Sequence, residues 1–389
     1  VEAQCTDHQR QLSNFETIDV QGGVIAPGFL SYGGSIGLIE IEAESSTNDG
    51  VAFAPFKEEV PEIIGDEPLM RAADGGLSVA FSVGAQNRLL KGAIVKSVAA
   101  LHVTIDHDKK KPSVSSQIAA LRHLLSRKGK GTIGKYFSMV ADGQIPLVVH
   151  TDNVDVIATL LDLLDELSQK VEAEVKLTIS GGAEAHLLAK ELGAAGVGVI
   201  LTRPRPFPTR WSGQHILPGL PLTSKSAVQV FLDNNVTVGF GIEENWQARN
   251  AWFDAAWEAI NAGGDLDRET ALGLISVNLE KLLGLEFKGQ REMVVWQGGE
   301  VFDMHSKVVA VISKPREQSI ELLYTMIWWV HIKMCLNRFG NDLSDSLPQL
   351  FLLKYPCGAV ATRMAMGLSS TMKALDDQVH NWRIRHNFR

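Results

Sequence analysis

The sequence predicts an α/β fold: a parallel sheet with crossover helices, a small β element drawn from both ends of that core, and an irregular helical tail. Three observations carry this. Between residues 145 and 283, short apolar strands alternate with segments of helical period, at a spacing of roughly 25–40 residues. Stretches of β character lie before and after that region, at Thr17–Ile25, Met293–Trp296 and Lys307–Ile312. Beyond Ile312 the rhythm stops and the charge changes sign. Residues 314–389 hold 10 Lys and Arg against 6 Asp and Glu, a surplus of +4, whereas the rest of the chain carries −12.

Each element follows from local chemistry. Ile145–His150 is an apolar run closed by a polar residue, a strand leading to a turn. Thr151, Asp152 and Asn153 offer caps, and Val154, Ile157, Leu160, Leu161, Leu164 and Leu167 then follow at helical spacing. Val175–Ile179 is the next strand, Gly181-Gly182 its turn, and Ala183–Leu192 a helix that Gly193 should stop. Val197–Leu201 is a third strand. A loop with Pro204, Pro206, Pro208, Pro218 and Pro221 cannot be regular helix or central strand. Ser224 is the expected cap of a helix through Leu232, and Val236–Phe240 is a fourth strand. Helices over Trp246–Asn261 and Arg268–Leu283 close the region, the second capped by Asp267. Periodicity alone leaves an open sheet and a closed barrel both available. The domain boundaries expected are a core over 27–285, a composite β segment from 1–26 and 286–313, and the tail over 314–389.

Composition excludes several function classes. With 37 Lys and Arg against 45 Asp and Glu, the net charge is −8, which argues against a nucleic-acid binder. The three cysteines, Cys5, Cys335 and Cys357, form no CxxC pair; a disulfide framework and a cysteine zinc site are not expected, and a reducing, cytoplasmic compartment is the default. The most apolar run, Ile320–Leu336, is broken by Glu321, His331 and Lys333, so no membrane span is expected. The first residue is Val1, which leaves room for an upstream segment. Gly129–Lys135 nearly spells a phosphate-binding loop, but Tyr136 stands where Ser or Thr is required and a helical run precedes it, so a nucleotide site is rejected. A small-molecule partner suits what remains; the oligomeric state stays open.

Four segments carry a resemblance. Val24-Ile-Ala-Pro-Gly-Phe-Leu30 resembles the approach to the first barrel strand of the amidohydrolase superfamily, and Gly239-Phe-Gly-Ile-Glu243 the end of its eighth strand. Asn278-Leu-Glu-Lys-Leu-Leu-Gly-Leu285 resembles its Asn-Pro-Ala-Lys-x-Leu-Gly-Leu helix, and Met293–Asp303 its closing β segment. Ser46–Gly50 and Trp246–Asn250 add a likeness to fungal carbohydrate esterase family 9, the N-acetylglucosamine-6-phosphate-deacetylase-like proteins. The resemblance implies a TIM-type (β/α)8 barrel with its site at the strand C-termini. It further implies metal-activated hydroxide attack on a carbon–nitrogen bond, zinc as the divalent metal, and an Asp on strand eight as proton shuttle.

The family's Asp-x-His-x-His falls on Ser31, Gly33 and Ser35, and its strand-six His on Gly181. His150 matches the strand-five ligand and Glu243 the strand-eight carboxylate. Arg71–Gly76 skips material that supplies an early βα unit in the family, which leaves open whether the ring of strands closes. The resulting assignment makes His150 the metal ligand and Glu243 the catalytic carboxylate. Glu184, Arg203 and Glu244 are the substrate-binding residues: Arg203 lies in a stiff loop suited to an anion, Glu244 beside Glu243, and Glu184 behind Gly181-Gly182. His102, His186 and Glu184 are the candidates for further ligands. The reading is an amidohydrolase-like hydrolase of non-peptide carbon–nitrogen bonds, with amino-sugar deacetylation its specific form. The alternatives are an inactive, small-molecule-binding scaffold and a fragment of a longer protein.

Overall fold

A computed structural model describes residues 19–34, 76–82, 93–107, 112–205, 215–285 and 292–312. All lie in the first of the two units into which the chain divides, Val1–Leu322. The expected tail and the helical patch Ser319–Asn337, with Cys5 and Arg210, lie outside the described residues.

The centre is a six-stranded sheet. Its strands are β2 (Gly76–Leu77), β5 (Leu101–Thr104), β6 (Leu147–Thr151), β7 (Leu177–Gly181), β8 (Gly198–Leu201) and β9 (Val238–Phe240), in that order. From β5 to β9 every pairing is parallel; β2 runs antiparallel on β5, and between them in sequence β3 (Ala80–Phe81) and β4 (Ile94–Lys96) form a separate antiparallel pair. Among the described residues the sheet is open. At one edge, a two-residue antiparallel strand stands where a parallel βα unit would have continued the ring. At the other, Ile242 donates its N–H to the Tyr32 carbonyl at 2.9 Å, so the segment after β1 (Ile25–Pro27) runs beside the end of β9.

Register and alternation give the sheet two faces. Leu101, Val103, Leu147, Val149, Leu177, Ile179, Val199, Leu201, Val238 and Phe240 pack into the main apolar core with the crossover helices. The largest of these is α3 (Val154–Val171), which begins where Asn153 accepts the N–H groups of Asp155 and Val156. Its stripe Val156, Ile157, Leu160, Leu163 and Leu167 is buried, each side chain contributing about 1.5–3 kcal/mol; Leu160→Ala would cost about 2–5 kcal/mol. α1 (Val114–His123) and α2 (Gly131–Ala141) cover the β5–β6 end. Gly131 opens a helix that follows α1 through a kink at Ser126 and Arg127, not the strand-to-helix turn that a phosphate loop requires.

The opposite face carries His102, Val148, His150, Thr178, Ser180, Ile200 and Gly239. Its lower part is filled by α8 (Val277–Leu282): Leu279, Leu282 and Leu283 pack on Val148 and Ile200, and Thr178 Oγ1 donates to the Leu282 carbonyl at 3.2 Å. What remains free on this face lies toward the C-terminal edge.

Four expectations change. Ala183–Leu192 is a 3-10 turn, Ala185–Leu188, followed by α4 (Ala189–Ala194), which runs through Gly193. The helix cap is Ser226, not Ser224: Ser226 and Gln229 form a reciprocal capping box at the start of α5 (Ala227–Asp233). Arg268–Leu283 is two helices, α7 (Arg268–Gly273) and α8, broken at Ser276, whose φ of −143° and ψ of −99° are not helical. Asp267 caps α7 through Thr270 N–H at 2.7 Å. Trp246–Asn261 likewise starts as a 3-10 turn before α6 (Ala251–Asn261).

Strands from both ends of the core meet. β1 pairs antiparallel with β10 (Met293–Gln297), and β10 with β11 (Lys307–Ile312). No helix of the described residues is long and apolar enough to cross a membrane.

Candidate functional site

Tyr32, His102, Ser180 and His150 meet at the C-terminal edge of the open face. Three adjacent strands supply the last three, and the segment after β1 supplies Tyr32. The Tyr32 hydroxyl lies 3.3 Å from His102 Nδ1 and donates to Ser180 Oγ at 3.2 Å. Ser180 Oγ lies 3.5 Å from His150 Nδ1. The Tyr32 ring stacks on the His102 imidazole, centroids 5.8 Å apart.

Burial sets the electrostatics. His102 is 4% exposed, and desolvation pulls its pKa from 6.5 down to about 4. The ring is therefore neutral at physiological pH. Burial pushes the Tyr32 phenol up to about 12, opposed in part by its hydrogen bond to Ser180. Tyr32 and His102 are thus uncharged members of a chain of donors and acceptors. His102 Nε2 is buried with no hydrogen-bond partner among the described residues. His150, half-buried, is its accessible end.

The other sequence-predicted residues have partners of their own. Arg203 Nε stands 2.7 Å from the Glu243 carboxylate, with both side chains 35% exposed. Glu244 forms a reciprocal capping box with Gln247 before α6. Glu184, 3% exposed, accepts Val154 N–H at 3.0 Å at the start of α3 and meets His215 Nδ1 at 2.7 Å. His186 is buried beside it, with its pKa lowered by desolvation. Beside the pair, Arg205 meets Asp254 at 2.6 Å; burial raises the Asp254 carboxyl and the guanidinium opposes this. His150 lies on β6, whereas Glu243 lies in the loop that follows β9, three strands along the sheet.

A catalytic zinc centre needs about three protein ligands. Among the described residues, no group of three His, Cys, Asp or Glu side chains could hold a metal ion. Backbone geometry explains two of the vacant positions. Gly33 has φ +97°, and a Cβ there would stand 2.3 Å from the Ile242 carbonyl oxygen. Gly181 has φ +86°, and its Cβ would stand 2.8 Å from Asp152 Oδ1 and 3.1 Å from His150 Cε1. Neither position admits any side chain without rearrangement. Ser35 lies outside the described residues. The donors described do not fit the zinc that the resemblance implies.

Sequence reading singled out His150 and named His102 only among several candidates. Tyr32 and Ser180 were missed; the one local signal was their place beside the glycines that replace ligand positions.

No family model matches the chain. It is 28% identical to amidohydrolase tasK of Hapsidospora irregularis over 69% of its own length, and it spans about a third, 34%, of that relative. Its backbone resembles the crystal structure of an amidohydrolase from Thermotoga maritima MSB8, with a TM-score of 0.56, 19% identity, and coverage of 78% of this chain and 89% of the other. In sequence the chain is thus similar to a protein named an amidohydrolase, and in fold to another.

Proposed function

We propose that this chain is an amidohydrolase-type scaffold that binds a small polar molecule at the C-terminal edge of its parallel sheet and does not carry out metal-hydroxide attack. One observation supports it above others: the ligand positions Gly33 and Gly181 are closed by the Ile242 carbonyl and by Asp152 and His150. The same edge keeps a hydrogen-bonded polar cluster able to orient a ligand. Arg203 and Glu244 lie on the loops that leave β8 and β9 and would border that ligand; Glu184 shapes the site through α3.

A second reading is favoured by the amidohydrolase named among its relatives. In it the protein hydrolyses a non-peptide carbon–nitrogen bond, as in the N-deacetylation of an amino sugar. Glu243 then moves protons, Arg203 holds an anionic group, and His150 keeps the ligand role that the resemblance gives it.

One experiment separates them. Purified protein is analysed for bound divalent metal and titrated with N-acetylglucosamine 6-phosphate, following thermal midpoint and acetate release. Binding without stoichiometric metal or turnover supports the scaffold. Acetate release that disappears in His150→Ala establishes the hydrolase instead.

A further inference from the structure

We infer that His102, Tyr32, Ser180 and His150 form a one-way hydrogen-bond relay that presents His150 Nε2–H as a donor to a carboxylate or carbonyl oxygen of the ligand. Its ligand half rests on the small-molecule-binding reading; the proton assignment stands without it.

Proton counting fixes the direction. Tyr32 has one hydroxyl proton, and it points to Ser180 Oγ. The phenol oxygen is then an acceptor toward His102 Nδ1, 3.3 Å away. A neutral imidazole that donates from Nδ1 has a bare Nε2, and no described group competes for that buried atom. Ser180 accepts from Tyr32, so its own proton is available to His150 Nδ1 at 3.5 Å. An imidazole that accepts at Nδ1 carries its proton on Nε2. The only donor this arrangement leaves at its accessible end is therefore that N–H, whose complement is a ligand oxygen.

The backbone holds the members of the chain in place. His150 and Ser180 are register partners on β6 and β7. Tyr32 is held from behind by the Ile242 N–H on its carbonyl. Gly181 leaves the imidazole of His150 its place; a Cβ there would press on Cε1. The links are long for hydroxyl hydrogen bonds, which centre near ~2.7–2.8 Å. An acceptor on His150 Nε2 would polarise and shorten the chain.

The test is a long-range proton–nitrogen correlation spectrum of protein labelled with nitrogen-15 in histidine, near pH 7.5. His102→Gln and His150→Gln assign the two rings by loss of signal. His102 is expected as the Nδ1–H tautomer and His150 as Nε2–H. Tyr32→Phe should abolish the first pattern; Ser180→Ala, which leaves the Tyr32 ring in place, should release the His150 tautomer. An Nε2–H pattern for His102 in the unaltered protein overturns the relay, as does a His150 pattern insensitive to Ser180→Ala. For the ligand half, acetate and acetamide are titrated while the His150 signal is followed. A saturable shift, weakened roughly five-fold in Ser180→Ala, is expected. No shift with either probe overturns the ligand assignment and leaves the tautomers as measured.

Discussion

Arg203 and Glu243 hold each other: the guanidinium Nε stands 2.7 Å from the carboxylate and ties the loop after β8 to the loop after β9. Both side chains are about one-third exposed, so solvent screens the pair. A double-mutant cycle with Arg203→Ala and Glu243→Ala should give a coupling below about 1 kcal/mol in urea unfolding. A larger loss of ligand affinity than of stability in either variant would then report a role at the site.

His102 should make stability pH-dependent. Its folded pKa, about 4, lies below its ordinary 6.5. Between those values the unfolded chain takes up a proton that the folded ring refuses. The contribution is fully present above pH 6.5 and lost as pH falls toward 4, on the order of 3 kcal/mol. Urea midpoints from pH 7.5 to 4.5 should fall more steeply for the natural protein than for His102→Gln; parallel curves would contradict it.

Glu184 should matter for folding whatever its part in binding. Its buried carboxylate satisfies the Val154 N–H at the start of α3 and meets His215. Glu184→Ala leaves that donor without a partner and should cost about 1–3 kcal/mol. His215→Ala, removing the largely exposed partner, should cost less than about 1 kcal/mol. Equal losses from the two would show that the ion pair, not the cap, carries the effect.

Restoring the lost ligands should fail. Gly33→His and Gly181→His each demand a side chain at positive φ against a fixed neighbour. Each should lower stability by about 2 kcal/mol or more without gaining stoichiometric zinc. Calorimetry and metal analysis of the two variants read both outcomes.

The sheet was legible because strand and helix periods differ, so Ile145–His150 and the Val154–Leu167 stripe could not be exchanged. The break at Ser276 was hidden: Arg268–Leu283 keeps helical spacing through it, and only packing of Leu279 and Leu282 against the sheet re-aims α8. At the site, His150 was visible from its strand end. Tyr32 was not, because its partners His102 and Ser180 lie 70 and 148 residues away in sequence, and no local pattern encodes such a meeting. The glycines at 33 and 181 could be read as missing ligands; that the space around them is filled required the backbone.

The pairing of Ile25 with Val295 reaches beyond architecture into synthesis. A ribosome releases β1 with its edge unmatched, and the complementary strand follows roughly 270 residues later, some tens of seconds at ordinary elongation rates. For that interval the nascent chain carries a naked strand, and the small sheet is sealed only when translation has passed Ile312.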